Sequence, residues 1–363
     1  MSQLALRVRC RGADDFLLEV SENLPLLGVT AIYGASGSGK TTLLECIAGL
    51  RSAEPGSQIH FDTTPWQDNA TQLPPWQRGI GYVFQDARLF PHLDVEGNLH
   101  YGLQRHRHSS GPSVAEVCHW LGLEPLLHRQ CDTLSAGQRQ RVAMGRALLA
   151  APRLLLLDEP LANLDGDSRR QCLDALKRAI CASQVPALYV SHDAEEVSQL
   201  ADRLLILESG QVVQHGSLLA LSSRIDCALS RDEQAAAILQ CELAGHDEAF
   251  GLSELRAEGH SLWVNHMPGA PGEQHRLRIP ARDVSLCREQ PRQTSILNVL
   301  PVQVTEIETG DSPRALVRLA VGEQFLLARI TRKSATTLQL KPGDHVFAQI
   351  KSTALLTEIA DPA

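Results

Sequence analysis

Gly34-Ala35-Ser36-Gly37-Ser38-Gly39-Lys40-Thr41 is the stretch on which the reading of this chain turns. Glycines at this spacing let the backbone wrap a phosphate chain, with successive N–H groups directed inward at the anion. Lys40 brings a positive charge to the β- and γ-phosphates. The Thr41 hydroxyl is placed to ligand Mg²⁺, and Thr42 completes the nucleotide-binding set. The flanks agree. Val29-Thr30-Ala31-Ile32-Tyr33 reads as a short buried strand, and Thr42 to Leu50 as a helix with Leu43, Leu44, Ile47 and Ala48 on one stripe and Gly49 near its end. A glycine-rich turn with an incidental lysine is the competing reading, and a strand before and a helix after weigh against it. The expected ligand is a nucleoside triphosphate.

Composition sets the outer limits. A chain of 363 residues exceeds one typical core, so two domains are expected. With 43% hydrophobic and 21% charged residues it reads as an ordinary globular protein, and a formal net charge of −8 offers no general attraction to nucleic acid. The nine cysteines are scattered and lack any Cys-x-x-Cys pair, which fits reduced, buried thiols better than a disulfide framework or a zinc site. No apolar run approaches membrane-spanning length, and the N-terminus lacks a signal-peptide core. Work at a membrane would then be that of a peripheral subunit.

From the phosphate loop to about Gly216, apolar strand-like runs alternate with helical patterns, which predicts an α/β nucleotide-binding fold. Leu154-Leu155-Leu156-Leu157 reads as a strand buried on both faces. It delivers Asp158 and Glu159 at its C-terminal end, where α/β sheets place their ligands. Asp158 suits a Mg²⁺ shell, and Glu159 is poised to orient or deprotonate the water that attacks a γ-phosphate.

Leu134-Ser135-Ala136-Gly137-Gln138 opens a helix. Ser135 and Gln138 have capping-box spacing, which serves a helix start whether or not a ligand is present. The same geometry leaves N–H groups and a positive dipole end facing outward, with Gly137 allowing close approach of an anion. Gln85 follows the apolar run Gly81-Tyr82-Val83-Phe84, and its amide could sense Mg²⁺ or the attacking water. His192 follows the strand Ala187–Ser191 and could contact the γ-phosphate. Each alone would pass for a satisfied polar residue. Their order, together with Asn163-Leu164-Asp165, changes the weighing.

That order resembles the ATP-binding cassette (ABC) ATPases over roughly the first 230 residues. In that family the phosphate loop of one copy and the Ser-x-Gly-Gln segment of another enclose ATP in a head-to-tail dimer. The resemblance implies Lys40, Thr41 and Asp158 as phosphate and Mg²⁺ binders, Glu159 as base, and Gln85 and His192 as sensors, Gln85 also reaching Mg²⁺. Ser135, Ala136, Gly137 and Gln138 would act across the interface, and Asp165 would couple the two sites. Ala136 departs from the family's usual glycine. For the aromatic that the family stacks on adenine, only Phe16 is available, Tyr33 being read as core.

Val83 to Leu93 resembles the stretch by which importer ATPases receive a short helix of their membrane subunit, with Leu89, Phe90 and Leu93 as apolar anchors beside a Pro-His turn. Residues from Asp94 to Cys131 would form a helical subdomain, and the His-rich stretch Gln104 to Ser110 a solvated loop rather than a metal site.

After Gly216 the pattern changes. Ser217 to Leu239 reads as helical and connecting. Short strands begin at Leu277, and from Thr294 onward alternation dominates, which predicts a small β-barrel of oligonucleotide/oligosaccharide-binding type. The boundaries are therefore 1–232 for the nucleotide-binding domain, 233–290 for a connecting region and 291–357 for the barrel. Thr294–Leu300, Leu327–Ser334 and Ala348–Ser352 resemble the small molybdate-binding domain called Mop. The resemblance implies an oxyanion held by Ser295, Asn298, Ser334 and Lys351, with Leu297 departing from a residue that is often arginine. A barrel kept for dimer packing is the competing reading.

The two resemblances together imply the ATPase subunit of a bacterial molybdate importer. Its partners would be a second copy of itself, two transmembrane permease subunits and, indirectly, a periplasmic molybdate-binding protein. Its cofactors would be ATP and Mg²⁺, with molybdate as a regulatory ligand and the cytoplasmic face of the inner membrane as its place. A soluble ABC ATPase acting on nucleic acid would call for tandem cassettes or a basic face, and an oxyanion sensor for ion binding without a membrane partner.

Overall fold

The computed structural model describes residues 2–12, 16–104, 111–309, 313–352 and the backbone of 356–359. Most of the His-rich stretch, 105–110, lies outside them. The chain divides into two compact units, Met1–Gly216 and Ser217–Ala363.

The strands of the first unit are β1 (Gln3–Arg11), β2 (Leu17–Pro25), β3 (Val29–Tyr33), β4 (Gln58–Phe61), β5 (Thr64–Gln67), β6 (Ile80–Val83), β7 (Leu154–Asp158), β8 (Ala187–Ser191), β9 (Arg203–Glu208) and β10 (Gln211–Ser217). Its helices are α1 (Lys40–Ala48), α2 (Val95–Leu103), α3 (Val114–Leu121), α4 (Ala136–Leu149), α5 (Gly166–Ser183) and α6 (Ala194–Leu200). The strands form one sheet in the order β5-β4-β1-β2-β10-β9-β3-β8-β7-β6. From β9 to β6 neighbouring strands are parallel, whereas β5, β4, β1 and β2 form an antiparallel wing.

The leucine run explains itself in this setting. Leu154 and Leu156 enter a core shared with α1 and the antiparallel wing, while Leu155 and Leu157 enter a second core with α4 and α5. A fully buried leucine contributes about 1.5–3 kcal/mol. Four in succession fix the strand that carries Asp158 and Glu159. At the phosphate loop, Gly39 starts α1 with φ 102° and Gly49 ends it with φ 75°, both in the left-handed region that favours glycine. The buried Arg78 guanidinium donates to the Cys46 and Ile47 carbonyls at 2.9 and 2.7 Å, satisfying the last turn of α1.

The second unit starts with two short helices, α7 (Leu218–Leu221) and α8 (Ala228–Arg231). Its strands are β11 (Ala236–Asp247), β12 (Leu252–Ala257), β13 (His260–Asn265), β14 (Gln274–Pro280), β15 (Val284–Cys287), β16 (Asn298–Glu308), β17 (Arg314–Val321), β18 (Gln324–Thr331), β19 (His345–Ile350) and β20 (Leu356–Ile359), and α9 (Arg332–Thr337) follows β18. They form two five-stranded sheets, ordered β13-β12-β11-β14-β20 and β15-β19-β16-β17-β18. In the second, the edge strands β15 and β18 approach one another, which gives the expected barrel-like curl.

Residues 233–290 are therefore not a connecting region, and the helical reading of Ser217–Leu239 fails at its end. Ala236-Ala237-Ile238-Leu239 is buried on both faces, so the alternation that marks a strand is missing there. β11 pairs with β14 over Ala236–Glu242, and both sheets share one apolar core.

Candidate functional site

The loop between β3 and α1 builds one half of the site. A side chain at Gly34 would sit 2.2 Å from the Leu207 carbonyl, and one at Gly39 would sit 2.8 Å from the Phe16 ring. Neither position admits anything but glycine. Lys40 is nearly buried, and its Nζ donates to the Gly34 and Ala35 carbonyls, each at 2.9 Å. Burial lowers its pKa, opposed by Glu159 and Asp158. The Ser38 hydroxyl is buried and without a protein partner. A phosphate chain supplies what this loop lacks: negative charge beside Lys40 and acceptors for inward-facing donors.

The end of β7 builds the other half. Thr41 Oγ1 donates to Asp158 Oδ1 at 2.9 Å, and the Tyr82 hydroxyl donates to Asp158 Oδ2 at 3.1 Å. Burial raises the pKa of Asp158 while these two donors hold it down, and burial beside Asp158 raises that of Tyr82. A hydroxyl and a carboxylate at hydrogen-bond distance are the hard oxygen donors that Mg²⁺ takes. Glu159 follows with φ 43°, a left-handed conformation costly for a residue with a side chain. That turn aims its carboxylate back over the loop. Oε1 lies 3.7 Å from Lys40 Nζ and 3.2 Å from His192 Nδ1.

The structure thus brings Lys40, Thr41, Asp158, Glu159 and His192 together around the phosphate loop. Ala35, Ser36 and Gly37 are exposed at its rim, and Thr42 follows in the first turn of α1. Phe16 packs against Gly39, next to the loop, and Tyr33 is buried as expected. Gln85 is exposed after β6 and makes no hydrogen bond to the other five. It lines a groove of about 560 Å³ with Ala87, Leu89, Ala136, Arg139 and Asn163. That groove is braced from within. Gln140 Nε2 donates to the Phe84 carbonyl at 3.0 Å, Arg146 donates to the Arg88 carbonyl at 2.9 Å, and buried Asn98 exchanges hydrogen bonds with the Phe90 backbone.

Ser135 and Gln138 form a reciprocal cap at the start of α4: Gln138 N donates to Ser135 Oγ at 3.2 Å, and Ser135 N to Gln138 Oε1 at 3.0 Å. Ser135 and Ala136 are exposed, but Gly137 is buried. A Cβ there would meet Ser168 Cβ at 3.2 Å and Cys172 Sγ at 3.4 Å, so the missing side chain of Gly137 makes room for α5. Asp165 caps α5, its two oxygens accepting from Ser168 N and Ser168 Oγ at 3.0 and 2.9 Å, and those bonds lower its pKa.

In the second unit, Asn298 is fully buried and its amide is spent inside the fold. Oδ1 accepts from Trp263 N at 2.6 Å, and Nδ2 donates to the Trp263 carbonyl at 2.9 Å and to Ser352 Oγ at 3.3 Å. It joins the two sheets, which corrects its place in the oxyanion set. Ser295 and Lys351 are exposed, Ser334 is half-buried with its hydroxyl 2.8 Å from Thr331 Oγ1, and these three make no hydrogen bond to one another.

Similarity to known proteins follows the same division. A family model described as ABC transporter matches residues 17–162, and one described as TOBE domain matches residues 294–356. The Molybdenum import ATP-binding protein ModC of Pseudomonas aeruginosa is 45% identical over 362 residues, 98% of this chain and 100% of that protein. The protein of the same description from Methylococcus capsulatus is 45% identical over 345 residues, 94% and 96% of the two chains. The chain belongs to the family of molybdenum import ATP-binding proteins. Among solved structures, cbiO1 from Clostridium perfringens, part of the ABC transporter complex cbiONQ, aligns with a TM-score of 0.51 at 25% identity over 59% of this chain and 88% of its own. The bacterial ABC transporter cassette MJ0796, described as a dimer, aligns with a TM-score of 0.51 at 26% identity over 60% and 99%. Within this family frame, one contributor, Tyr82, was not singled out from sequence. Tyr82 reads as one more apolar strand residue, although a buried phenol needs a partner.

Proposed function

We propose that this chain is the motor subunit of a molybdate importer, hydrolysing ATP to drive transport. The observation that carries this reading is the convergence of Glu159, His192 and Lys40 at the rim of the phosphate loop. Lys40 exchanges its two loop carbonyls for β- and γ-phosphate oxygens, and the loop N–H groups hold the chain in place. Thr41 and Asp158 would hold Mg²⁺, which would supply neutralising charge to the phosphates. Glu159 accepts a proton from a water whose oxygen bonds to the γ-phosphorus, and the bond from that phosphorus to the bridging oxygen breaks to leave ADP. His192 donates to the γ-phosphate and keeps Glu159 aligned. Two copies meet head to tail, so that the start of α4, with Ser135 and Ala136 exposed and Gly137 and Gln138 behind them, faces ATP on the partner, while Asp165 links the two sites.

The groove beside Gln85 is the proposed seat of the permease subunit, with the chain working at the cytoplasmic face of the membrane. Among the described residues no helix is long and apolar enough to cross it. Exposed hydroxyls at Ser295 and the Lys351 ammonium suit a tetrahedral dianion, with Ser334 contributed at a contact between barrels of two copies, so molybdate is the proposed regulatory ligand. Its binding can bias the motor only by its differential affinity for the open and closed arrangements.

Glu159→Gln tests the central step. The amide keeps the size of the carboxylate but cannot take a proton, so turnover is expected to fall by about a hundredfold or more. ATP binding should persist, and the variant should accumulate as an ATP-bound dimer. Wild-type turnover would remove Glu159 from the role of base.

A further inference from the structure

Behind the His192 turn lies a buried carboxylate that the hydrolytic steps do not use. Glu196, on α6, is 5% exposed. Its Oε2 accepts from the Tyr189 hydroxyl at 2.7 Å and from the Ser191 hydroxyl at 2.8 Å. Ser191 Oγ in turn accepts from Asp193 N at 3.0 Å. Asp193 Oδ1 caps α6 through the N–H groups of Glu195 and Glu196 at 2.8 and 3.2 Å. Both neighbours of His192 are fixed in this way. His192 itself is half exposed and touches Glu159, so its place is set by the residues on either side of it.

Arg169, in the first turn of α5, closes the arrangement. Its NH1 lies 3.1 Å from Asp193 Oδ2, and its Nε lies 3.6 Å from Glu196 Oε1, too long for a hydrogen bond but within ion-pair range. Its NH2 donates to the Leu164 carbonyl at 3.4 Å. Leu164 immediately precedes Asp165, the cap of α5. One planar guanidinium therefore holds the backbone just before Asp165 and both carboxylates behind His192. Arg169 is only partly exposed, at 36%, and Glu196 is buried, so loss of the guanidinium costs some stability as well as alignment, and a thermal melt separates the two.

We propose that Arg169 is a positioning residue that couples the Asn163–Asp165 turn to His192. Displacement of that turn shifts Leu164 and Arg169 together, moves Asp193 and Glu196, and so changes the approach of His192 to Glu159. In the head-to-tail dimer, arrival of the second copy at Asp165 is passed to the hydrolytic pair by this route. The inference rests on the reading of Glu159 and His192 as that pair.

The test is ATP hydrolysis by the full-length chain, followed by phosphate release, with a thermal melt of each variant. Arg169→Met is expected to lower kcat about tenfold while KM for ATP stays within about twofold, because ATP itself is not touched. Arg169→Lys should recover part of the rate. His192→Ala combined with Arg169→Met should be no slower than His192→Ala alone, since residues acting through one another are not additive. Glu196→Gln, which still accepts from Tyr189 and Ser191 but offers Arg169 no charge, should lower kcat in the same non-additive way and serves if Arg169→Met fails to fold. Wild-type kcat in Arg169→Met, or in Glu196→Gln where that variant stands in, overturns the coupling, as does a double variant slower by the product of the single effects. Wild-type kcat in His192→Ala overturns the underlying site reading, and the coupling with it.

Discussion

Asp158 is pulled in opposite directions by its surroundings. Burial favours the neutral acid, and the hydroxyls of Thr41 and Tyr82 favour the carboxylate that a cation needs. Because its pKa stands above the usual aspartate value, a proton competes for Asp158 at a higher pH than for an ordinary carboxylate. Mg²⁺ binding must therefore weaken as pH falls. Tyr82→Phe removes one donor to the charged form, a loss of roughly 1.5–3 kcal/mol that pushes the pKa further up. The Mg²⁺ concentration for half-maximal ATP hydrolysis is expected to rise, and by more at pH 6 than at pH 8, because protons compete more strongly at the lower pH. Titrating Mg²⁺ at both pH values checks this, and an equal rise at both would assign Tyr82 a packing role. The sequence names Asp158 by its place after a leucine run. Tyr82 was not legible, because only the register of β6 against β7, with Tyr82 opposite Leu156, sets its hydroxyl beside that carboxylate.

Helix starts carry much of this site, and they show what a pattern reveals and what it hides. The cap of α4 is legible in Ser135 and Gln138, and the structure contains it. What the pattern hides is the side of α4 that meets α5. Any side chain at Gly137 would bring its Cβ to 3.2 Å from Ser168 Cβ and 3.4 Å from Cys172 Sγ, so loss of activity there would mix packing with charge. Ser135 separates the two effects. Aspartate caps a helix about as well as serine and suits the dipole, so Ser135→Asp should leave the thermal midpoint unchanged or slightly raised. Its carboxylate would nonetheless face the γ-phosphate held by the partner copy, and hydrolysis is expected to fall by about a hundredfold. Ser135→Gly, at a capping cost of a few tenths of a kcal/mol, should lose the hydroxyl contact with a milder drop in rate. A stable Ser135→Asp variant with wild-type turnover would place α4 outside the composite site.

At the scale of the whole molecule, the first unit was legible because its signals are local. The loop Gly34–Thr41, the run Leu154–Leu157 and the strand Ala187–Ser191 each carry their own fold instructions within a few residues. The second unit was half legible. Strands from Asn298 onward mostly alternate, but β11 begins with four buried residues in a row, and its partner β14 lies beyond a hairpin and a proline-glycine loop. The shared core decides where the chain can be cut. Ending it near residue 290 would remove β16 to β20 and strip Leu239, Cys241, Leu277 and Ile279 of the half of their core that those strands supply. Ending it after β10, at Ser217, removes that core whole and keeps every strand of the ten-stranded sheet. The chain 1–217 is therefore expected to be monodisperse, to bind ATP and to hydrolyse it at a rate that molybdate does not change. The chain 1–290 is expected to aggregate, since an exposed apolar face of this kind invites association. Light scattering and phosphate release, each with and without molybdate, distinguish these outcomes. A soluble, active 1–290 chain would show that β11 to β14 fold without the barrel, and a molybdate-sensitive 1–217 chain would move the regulatory site out of the second unit.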